Sequence, residues 1–551
     1  MLSIPLHQWP LSGPATAALA LAAVYAVLYA LQLRKHDPDE PPIVPSRIPF
    51  VGHLIGMAVL GGRYTKRLGA AHPDKPIFTL PVPFSRIYIV TDPSLAAAVQ
   101  RASRALSFTP LVPDITQRVL GLDAATVAQV RLNLDPEPGE PRGFLAEMHD
   151  MVYGFLGPGE PLNELSLSAA SELCTQVNAF AEGLAAAPEP EDGAGPGPAG
   201  GEVVDLLEWT RHLVTVGTAA FLYGPRNPLA ARPELEPAFW DFVHGLGPLL
   251  IGLAPSLTAR RAYRAREALV AAFVTYLDGQ EHLRRPGGAS DIVRRRIEIA
   301  ERHGWAVEPT ARSELSFLFA GIINTAVSTF WVALRVFADP ALLRAVRAEV
   351  LAAAAPVVDD AAPGAKDSET LALSLEAVRA RCPTLAAAFR ESLRLGSDNF
   401  STRLVKADTT LAGRHYLRRG AVVQVAAGVI HADARLWGAD AEAFRAERFA
   451  PNPEGGKKEA VHPAAFRAFG GGKTLCPGRH FATSEILGLV AAVVLLFDLE
   501  PADGGPAAAL RVPDKNDRVL PVHILEPRAE DVPRVRVRLR DGKLRKVVAV
   551  P

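Results

Sequence analysis

One cysteine near the C-terminus lies in a segment that could hold a metal ion. Residues 469–478 read FGGGKTLCPG, and Cys476 is one of three cysteines in 551 residues. Glycines let the backbone turn tightly and approach a flat ligand closely. An apolar helical pattern follows from about Phe481 to Phe497, and the N-terminus of such a helix favours a thiolate at the sulfur. A buried thiolate can hold heme iron from one side. The competing interpretation is a cysteine packed as a small hydrophobic side chain.

A second group of candidate residues lies within a long apolar pattern from about Ser313 to Ala338. The segment 319–325 reads FAGIINT, which places Gly321, Asn324 and Thr325 close together on one predicted helix. The pattern contains about 18 mostly apolar residues, which is close to the length of a membrane span. The polar residues within it instead favour a buried core helix that crosses the whole domain.

Both segments resemble parts of the cytochrome P450 family. The spacing Phe469–Gly472–Cys476–Gly478 is similar to the heme-binding loop of that family. The resemblance implies a mainly α fold with small β-sheets, and heme b with its iron bound by Cys476. It also implies that Phe469, Gly472 and Gly478 form the loop that holds the cofactor.

The helix that contains Thr325 resembles the distal helix of the family, whose Ala/Gly-Gly-x-x-Asp/Glu-Thr motif lies over the heme. The resemblance implies that Gly321 leaves room for dioxygen and that Thr325 relays protons to it. Asn324 stands where most members have an acid, and an asparagine cannot itself deliver a proton. The relay would then run through Thr325 and water. Asn324 and Thr325, followed by TFW at 329–331, are similar to the branch of sterol 7α-hydroxylase and prostacyclin synthase.

A pair of opposite charges precedes the cysteine segment. Glu391 and Arg394 lie three positions apart on a predicted helix and can therefore pair. They resemble the Glu-x-x-Arg helix of the family, and segment 444–449 resembles its later Phe-x-Pro-Glu-Arg-Phe segment, with Ala446 in place of proline. The resemblance implies a buried structural network of Glu391, Arg394 and Arg448, because two arginines satisfy more lone pairs of one carboxylate than one can.

The two propionates of a heme need cations or hydrogen-bond donors. Arg403 matches the family arginine that follows the Glu-x-x-Arg helix and is the first candidate. The usual arginine or histidine two positions before the cysteine is Thr474 here, so the adjacent Lys473 is a candidate substitute. The family's Trp-x-x-x-Arg clamp is not found at its usual position, and His149 is the candidate in its place. For Lys473 and His149 a solvated surface position is the alternative. Basic residues also cluster around the cysteine, and they form either a solvated face or a docking site for an acidic flavoprotein: Lys457, Lys458, Arg467, Lys473 and Arg479.

Composition excludes some classes of function. Lys and Arg number 59, as do Asp and Glu, so the net charge is zero and nucleic-acid binding is not supported. Three cysteines are too few for a disulfide framework, which indicates a reducing compartment. Hydrophobic residues make up 49% of the chain. Length alone would suggest about three or four domains, but the pattern favours one large domain.

The N-terminal part predicts a membrane anchor. Residues 15–33 are apolar, and Arg34 and Lys35 follow directly. Positive charge on this flank predicts a single transmembrane helix within 1–35, with the catalytic domain in the cytosol and the anchor in the endoplasmic reticulum membrane. A cleaved signal peptide is the alternative, but the charged n-region is missing and the run is long.

The rest of the chain divides into a linker and one catalytic domain. Prolines within 41–52 predict a stiff hinge over residues 36–52. The heme-thiolate catalytic domain then covers 53–551, with a flexible low-complexity loop near 185–202.

Secondary structure can be predicted at several positions. Strands are predicted at 76–80, 86–90, 403–405 and 421–425 from alternation and β-branched residues. Asp92 and Pro93 would cap and begin the helix after the second strand. Amphipathic helices are predicted from Val203 onward as far as Ala338.

The resemblance implies a monooxygenase that hydroxylates or epoxidises a hydrophobic small molecule with dioxygen. Electrons would come from NADPH through a reductase, and the substrate would be a sterol, a lipid or a secondary-metabolite intermediate. Three segments would line its pocket: 114–134, 239–253 and 513–524. Asn324 keeps open a heme-thiolate isomerase or dehydratase that needs no reductase. A non-catalytic heme sensor or carrier is the third alternative.

Overall fold

The architecture is given by a computed structural model that describes residues 13–136, 139–186, 201–357, 369–451, 461–503 and 509–551. Most of the predicted loop near 185–202, together with Lys457 and Lys458, lies outside these ranges. Helices dominate the described part of the chain, as predicted. The strands are short and form small sheets.

The first half of the described chain contains fifteen α-helices. They are α1 (Gly13–Gln32), α2 (Gly52–Leu60), α3 (Gly62–Ala71), α4 (Pro93–Arg101), α5 (Val112–Leu120), α6 (Ala124–Val130), α7 (Phe144–Leu156), α8 (Glu160–Ala186), α9 (Leu206–Tyr223), α10 (Pro228–Ala231), α11 (Leu235–His244), α12 (Leu246–Ile251), α13 (Pro255–Thr258), α14 (Arg260–Asp278) and α15 (Asp291–Arg302). The remaining helices are α16 (Val307–Ala338), α17 (Pro340–Ala353), α18 (Leu375–Arg381), α19 (Pro383–Gly396), α20 (Ala427–His431), α21 (Ala434–Trp437) and α22 (Arg479–Leu496).

Thirteen strands form four sheets within the described ranges. They are β1 (Ile77–Val82), β2 (Ser85–Val90), β3 (Leu106–Ser107), β4 (Glu202–Asp205), β5 (Ala354–Pro356), β6 (Glu369–Ser374), β7 (Phe400–Val405), β8 (Thr409–Leu411), β9 (His415–Leu417), β10 (Val422–Ala426), β11 (Phe497–Pro501), β12 (Arg534–Leu539) and β13 (Arg545–Val550). The largest sheet has the order β1-β2-β10-β7-β3, in which β10 runs parallel to β2 and antiparallel to β7.

The four predicted strands are confirmed, and none of their ends moves by more than three residues. All four, β1, β2, β7 and β10, belong to the largest sheet. The prediction that helix resumes at Val203 is wrong, because 202–205 pair with β12 as β4 and α9 begins only at Leu206. Asp92 caps α4 as predicted, because its Oδ1 accepts a hydrogen bond of 2.9 Å from the N–H of Leu95.

The core is built around α16, which packs against α9, α14, α19 and α22. Side chains are buried around the whole circumference of its second half, including Phe330 and Trp331. Among the described residues, two helices, α16 and α22, are long and apolar enough to cross a membrane, but most of each is buried inside the protein. They are core helices, in agreement with the prediction for α16.

The N-terminal helix α1 is different, because most of its side chains from Thr16 to Leu31 are exposed. Its described apolar part, Thr16–Gln32, is shorter than the other two apolar helices. The proline-rich segment that follows is held against the domain. The N–H of Val44 donates to the carbonyl of Thr79 at 2.9 Å, and the N–H of Thr79 donates to the carbonyl of Pro42 at 2.8 Å.

Candidate active site

A cavity of about 630 Å³ lies between α16 and the cysteine segment. Cys476 lines it from the side of α22, and Thr325 lines it from the side of α16. Most of its other walls are apolar: Val152, Leu156, Leu165, Phe221, Leu222, Phe317, Ala320, Phe469, Phe481, Ala482 and Ile486. The two segments that carry the candidate catalytic residues therefore line the same cavity.

The cysteine segment forms a tight turn directly before α22. The N–H of Cys476 donates to the carbonyl of Phe469 at 2.9 Å, and a short 3-10 turn covers Gly472–Thr474. Gly472 has a φ of 64°, and a Cβ there would lie 3.1 Å from the Cβ of Gln100. A side chain at this position would be both strained and crowded. Gly472 is thus needed for the turn and for packing on α4, and it does not line the cavity.

Two opposing effects act on the Cys476 sulfur. Burial raises the pKa of this thiol, while the N–H of Gly478 and the charge of Arg479 lower it. The turn and the start of α22 therefore favour the thiolate, as the sequence predicts, but they offset only part of the effect of burial. Desolvation outweighs the donors, because a thiolate without a counter-ion loses its hydration on burial. A metal ion bound at the sulfur would reverse this balance.

Two arginines beside the cavity, Arg403 and Arg467, have no carboxylate partner within the described ranges. Arg403 lines it and donates to the carbonyl of Gly471 at 3.1 Å and to Oγ1 of Thr474 at 2.5 Å. Burial lowers the pKa of Arg467 to about 10, and the charge of Arg403 adds to this effect. The Nε of Arg467 is buried without a hydrogen-bond partner in the described ranges. Arg403 also donates to the carbonyl of Thr402 at 2.7 Å. Two buried cations without a counter-ion in the described ranges fit a ligand that carries acidic groups.

The other predicted anion partners lie elsewhere. Lys473 is exposed and does not line the cavity. His149 is half exposed and stacks on Tyr153, with 4.3 Å between the ring centroids. The hydroxyl of Tyr153 donates to the carbonyl of Leu475, so the tyrosine holds the cysteine turn from α7. The prediction of a solvated basic face fails for Arg467, which is 1% exposed.

On α16, each of the three predicted residues has a separate set of contacts. Gly321 lines the cavity, but a Cβ there would point at α9 and lie 3.2 Å from Cγ2 of Thr218. Asn324 lines the cavity, and its Oδ1 accepts a hydrogen bond of 3.0 Å from the N–H of Ile524. Asn324 therefore ties the segment around Ile524 to α16, a contact that an acceptor oxygen supplies without any proton transfer.

Thr325 has a partner that the sequence reading missed. Its Oγ1 lies 3.3 Å from Oε2 of Glu485, a fully buried residue of α22. Glu485 follows Cys476 by nine positions. The feature of the sequence that could have identified Glu485 is a glutamate within a mostly apolar predicted helix, because such a residue usually has a paired or functional carboxyl.

The buried charge network forms as the resemblance implied. Glu391 and Arg394 are both 0% exposed, and their side chains make two hydrogen bonds of 2.7 Å. Arg448 donates from Nε to the same carboxylate at 3.2 Å, and Arg445 donates its backbone N–H at 3.1 Å. Arg394 also donates to the carbonyl of His431 at 2.6 Å. This network ties α19 to the segment that leads to the cysteine turn.

Of the three segments predicted to line the pocket, only 513–524 reaches the cavity, through Val522, His523 and Ile524. The other two segments, 114–134 and 239–253, do not line it and contact each other instead. Arg118 of the first donates to the carbonyl of Leu250 in the second at 3.3 Å.

Comparison with known proteins agrees with this geometry. A family model described as Cytochrome P450 matches residues 305–512. The cytochrome P450 monooxygenase nodJ of Hypoxylon pulicicidum is 30% identical over 474 residues, which cover 85% of each chain. A 5-beta-cholestane-3-alpha,7-alpha-diol 12-alpha-hydroxylase of Sus scrofa is 25% identical over 515 residues, which cover 89% of this chain and 92% of the relative. Retinoic acid-bound cyanobacterial CYP120A1 has a similar structure with a TM-score of 0.64 and 20% identity, covering 91% of this chain and 99% of that one.

These similarities have different weights. The likeness to CYP120A1 shows the architecture alone, because only 20% of the residues are identical. The similarity to nodJ extends over most of both chains, and the sterol 12-alpha-hydroxylase is a more distant relative over a similar length. The chain therefore belongs to the cytochrome P450 family, has sterol hydroxylases among its relatives, and is a P450 monooxygenase.

Proposed function

We propose that this enzyme inserts one oxygen atom of dioxygen into a hydrophobic small molecule, by hydroxylation or epoxidation, with electrons from NADPH delivered by a reductase. The observation that carries the proposal is the apolar cavity with Cys476 on one wall and Thr325 on the other. Such a cavity binds an apolar molecule and excludes water from the reaction.

The family implies a heme, and the residues fit one. Cys476 would hold the iron, and the cavity beside it is wide and mostly apolar. Arg403 and Arg467, which have no carboxylate partners in the described ranges, would take the propionates. When bound, the heme supplies the activation of dioxygen, while the protein supplies binding, orientation and protons.

Thr325 is the residue that would handle protons at the reaction site. Its hydroxyl can both donate and accept, and it lines the same cavity as Cys476. Asn324 cannot deliver a proton, and its Oδ1 already accepts from the N–H of Ile524. We therefore assign Asn324 to holding the 522–524 wall and Thr325 to the relay, with Gly321 leaving space beside it.

The substrate class follows from the walls and the relatives. Aromatic and aliphatic side chains, among them Phe221, Leu222 and Phe317, dominate the cavity. Of its two arginines, Arg403 is assigned to a propionate, and Nε of Arg296 donates to Glu314 at 3.0 Å. A sterol-like or similarly apolar secondary-metabolite intermediate fits these walls, in line with the cholestane substrate named for a relative.

Membrane attachment is part of the proposal. Residues 1–35 would form a single-pass anchor in the endoplasmic reticulum membrane, 36–52 a hinge, and 53–551 the catalytic domain on the cytosolic side. Exposed apolar side chains support this arrangement on α1, such as Leu21 at 71% exposure, and on the α12–α13 region, such as Leu257 at 79%. Apolar patches of this kind mark contact with lipid or with another protein.

The electron donor would dock near the cysteine turn. Lys473 is exposed there and Arg479 is partly exposed at the start of α22. These cations would attract an acidic face of a reductase, and the attraction would weaken as the salt concentration rises.

A carbon monoxide difference spectrum of the reduced protein tests the heme assignment. We expect a strongly red-shifted Soret band that is lost in Cys476→Ala and kept in Cys382→Ala, a matched change of another buried cysteine. A spectrum typical of histidine-ligated heme would refute the assignment.

Turnover of candidate apolar substrates with reductase tests the reaction class. Product formation should require both NADPH and dioxygen. Turnover without any reductant would instead identify an isomerase or dehydratase, and heme binding with no turnover would identify a sensor or carrier.

A further inference from the structure

A second cavity, of about 470 Å³, is separate from the one that Cys476 lines. Its walls come from α3, the C-terminal part of α16, the end of α19 and segment 512–517. No described residue lines both cavities. Ionisable side chains form much of the wall of the second cavity, whereas the first cavity is mostly apolar. The second cavity therefore suits a small charged ligand rather than an apolar one.

Most cations on this wall already have a carboxylate partner. Arg394 is held by Glu391. Three further ion pairs join lining residues to one another: Lys515–Asp398, Arg63–Asp517 and Lys66–Glu442. The remaining lining carboxylate, Asp514, is exposed. Two arginines of the wall, Arg335 and Arg528, have neither an ion pair nor a side-chain hydrogen bond within the described ranges. The buried charge that lacks a counter-ion in this cavity is therefore positive.

Arg335 is the more deeply buried of these two arginines, with 9% of its surface exposed. Its Nε and Nη1 are buried without a hydrogen-bond acceptor in the described part of the chain. Its Cζ lies 5.0 Å from the ring centroid of Trp331 and 5.1 Å from that of Phe444. Burial lowers the pKa of Arg335 to about 10, and the charge of Glu391 offsets part of this effect, so the guanidinium is still charged at pH 7. A buried cation without an acceptor is costly unless a ligand supplies one.

The groups near Arg335 indicate which anion would fit. A planar guanidinium can bind two oxygens of an oxyanion at once. Burial lowers the pKa of Lys515, and the charge of Arg335 adds to this effect, so the two cations lie near each other. Lys515 is 2.6 Å from Oδ1 of Asp398, whose other oxygen, Oδ2, is buried without a donor in the described ranges. Inorganic phosphate retains a hydrogen at pH 7 that this oxygen can accept, whereas sulfate has none to donate.

We propose that the second cavity binds inorganic phosphate: Arg335 and Arg528 donate to its anionic oxygens, and Oδ2 of Asp398 accepts its remaining hydrogen. The site shares no lining residue with the cavity of Cys476, so this inference goes beyond the proposed function and needs no substrate for its test. Bound phosphate would stabilise the protein, because only the folded chain brings these side chains together.

Thermal unfolding of the full-length, heme-loaded protein tests the proposal in chloride, sulfate and phosphate buffers of equal pH and ionic strength. Sulfate and phosphate both stabilise proteins in general because they are excluded from protein surfaces, so sulfate is the reference anion. We expect phosphate to raise the melting temperature of the wild type in a saturable manner and above the effect of sulfate. Arg335→Met should respond to the two anions alike. In chloride it should melt no lower than the wild type, because the variant removes a buried cation that lacks an acceptor.

Arg528→Met decides the matter even if Arg335→Met does not fold, because Arg528 is partly exposed. Isothermal titration with inorganic phosphate should show a dissociation constant that is about tenfold or more higher in this variant, since one charge-assisted hydrogen bond is lost. Arg295→Met is the control, because Arg295 is about half exposed and pairs with Glu298 outside the cavity. It should bind phosphate as the wild type does. Equal effects of phosphate and sulfate on the wild type, or unchanged phosphate binding in both Arg335→Met and Arg528→Met, would overturn the proposal.

Discussion

Replacing Glu391 by alanine should strongly destabilise the protein and loosen the cysteine turn. The variant removes four hydrogen bonds: two from Arg394, one from Nε of Arg448 and one from the backbone N–H of Arg445. Arg394 would then remain 0% exposed, with the carbonyl of His431 as its remaining hydrogen-bond acceptor. Its guanidinium cannot reach water without rearrangement of α19.

The size of the expected loss of stability in Glu391→Ala follows from the burial of the ion pair. Breaking a buried ion pair by removing one partner costs about 3–5 kcal/mol, because the remaining charge is left uncompensated. Glu298 and Arg295 form a matched control, since they are also three positions apart on a helix and 2.7 Å from each other. Both of these side chains are about half exposed. Glu298→Ala should therefore cost no more than about 1 kcal/mol.

The two variants can be compared by equilibrium urea unfolding, followed by tryptophan fluorescence and by the Soret band of the reduced carbon monoxide complex. We expect Glu391→Ala to unfold at much lower urea and to lose the red-shifted band before the fluorescence changes. If Glu391→Ala were as stable as Glu298→Ala, the buried network would not be what holds the cysteine turn, and the reasoning would fail.

Three further changes test other parts of the site. Arg403→Leu should speed heme loss to an acceptor protein by about tenfold or more, because one charge-assisted hydrogen bond is worth about 1.5–3 kcal/mol. Lys473→Leu, at an exposed position outside the cavity, should leave that rate unchanged. Gly321→Ala should cost about 1–3 kcal/mol of stability by crowding Cγ2 of Thr218 at 3.2 Å, and adding Thr218→Ser should recover most of it by removing that methyl group. His431 should make the fold acid-sensitive, since burial lowers its pKa to about 3 while the unfolded chain binds a proton near pH 6.5. The contribution of His431 to the free energy of unfolding is then fully present above about pH 6.5, and it falls by about 2 kcal/mol when the pH is lowered to 5. A shallower pH dependence of the free energy of unfolding in His431→Gln would confirm this contribution.

Features confined to one short segment could be predicted from the sequence. The cysteine turn is specified by glycines and a cysteine within ten residues, and Glu391 and Arg394 face each other because three positions on a helix bring side chains together. Asp92 caps α4 for the same local reason. The mainly helical fold follows from amphipathic patterns that are likewise local.

Contacts between distant segments could not be predicted in this way. Thr325 and Glu485 are 160 residues apart, and Asn324 and Ile524 are 200 apart. Spacing along the chain carries no information about such pairs, because they depend on how α16 packs against other elements. The prediction that segments 114–134 and 239–253 line the pocket was wrong for the same reason. Arg467 was misread because a basic residue in a glycine-rich segment is usually exposed.

The packing of α16 links the roles of Gly321 and Thr325, which were predicted separately from the sequence. Gly321 and Thr325 are four positions apart, so they lie on the same face of the helix. A Cβ at 321 would press on Thr218 of α9, and the hydroxyl of that same threonine faces Glu485, the partner of Thr325. The glycine therefore lets α9 approach closely enough to enclose the carboxyl in an uncharged environment. A larger residue at 321 would push α9 away and admit water to Glu485. The close approach of α9 to α16 at Gly321 and the uncharged surroundings of Glu485 are thus set by one helix contact.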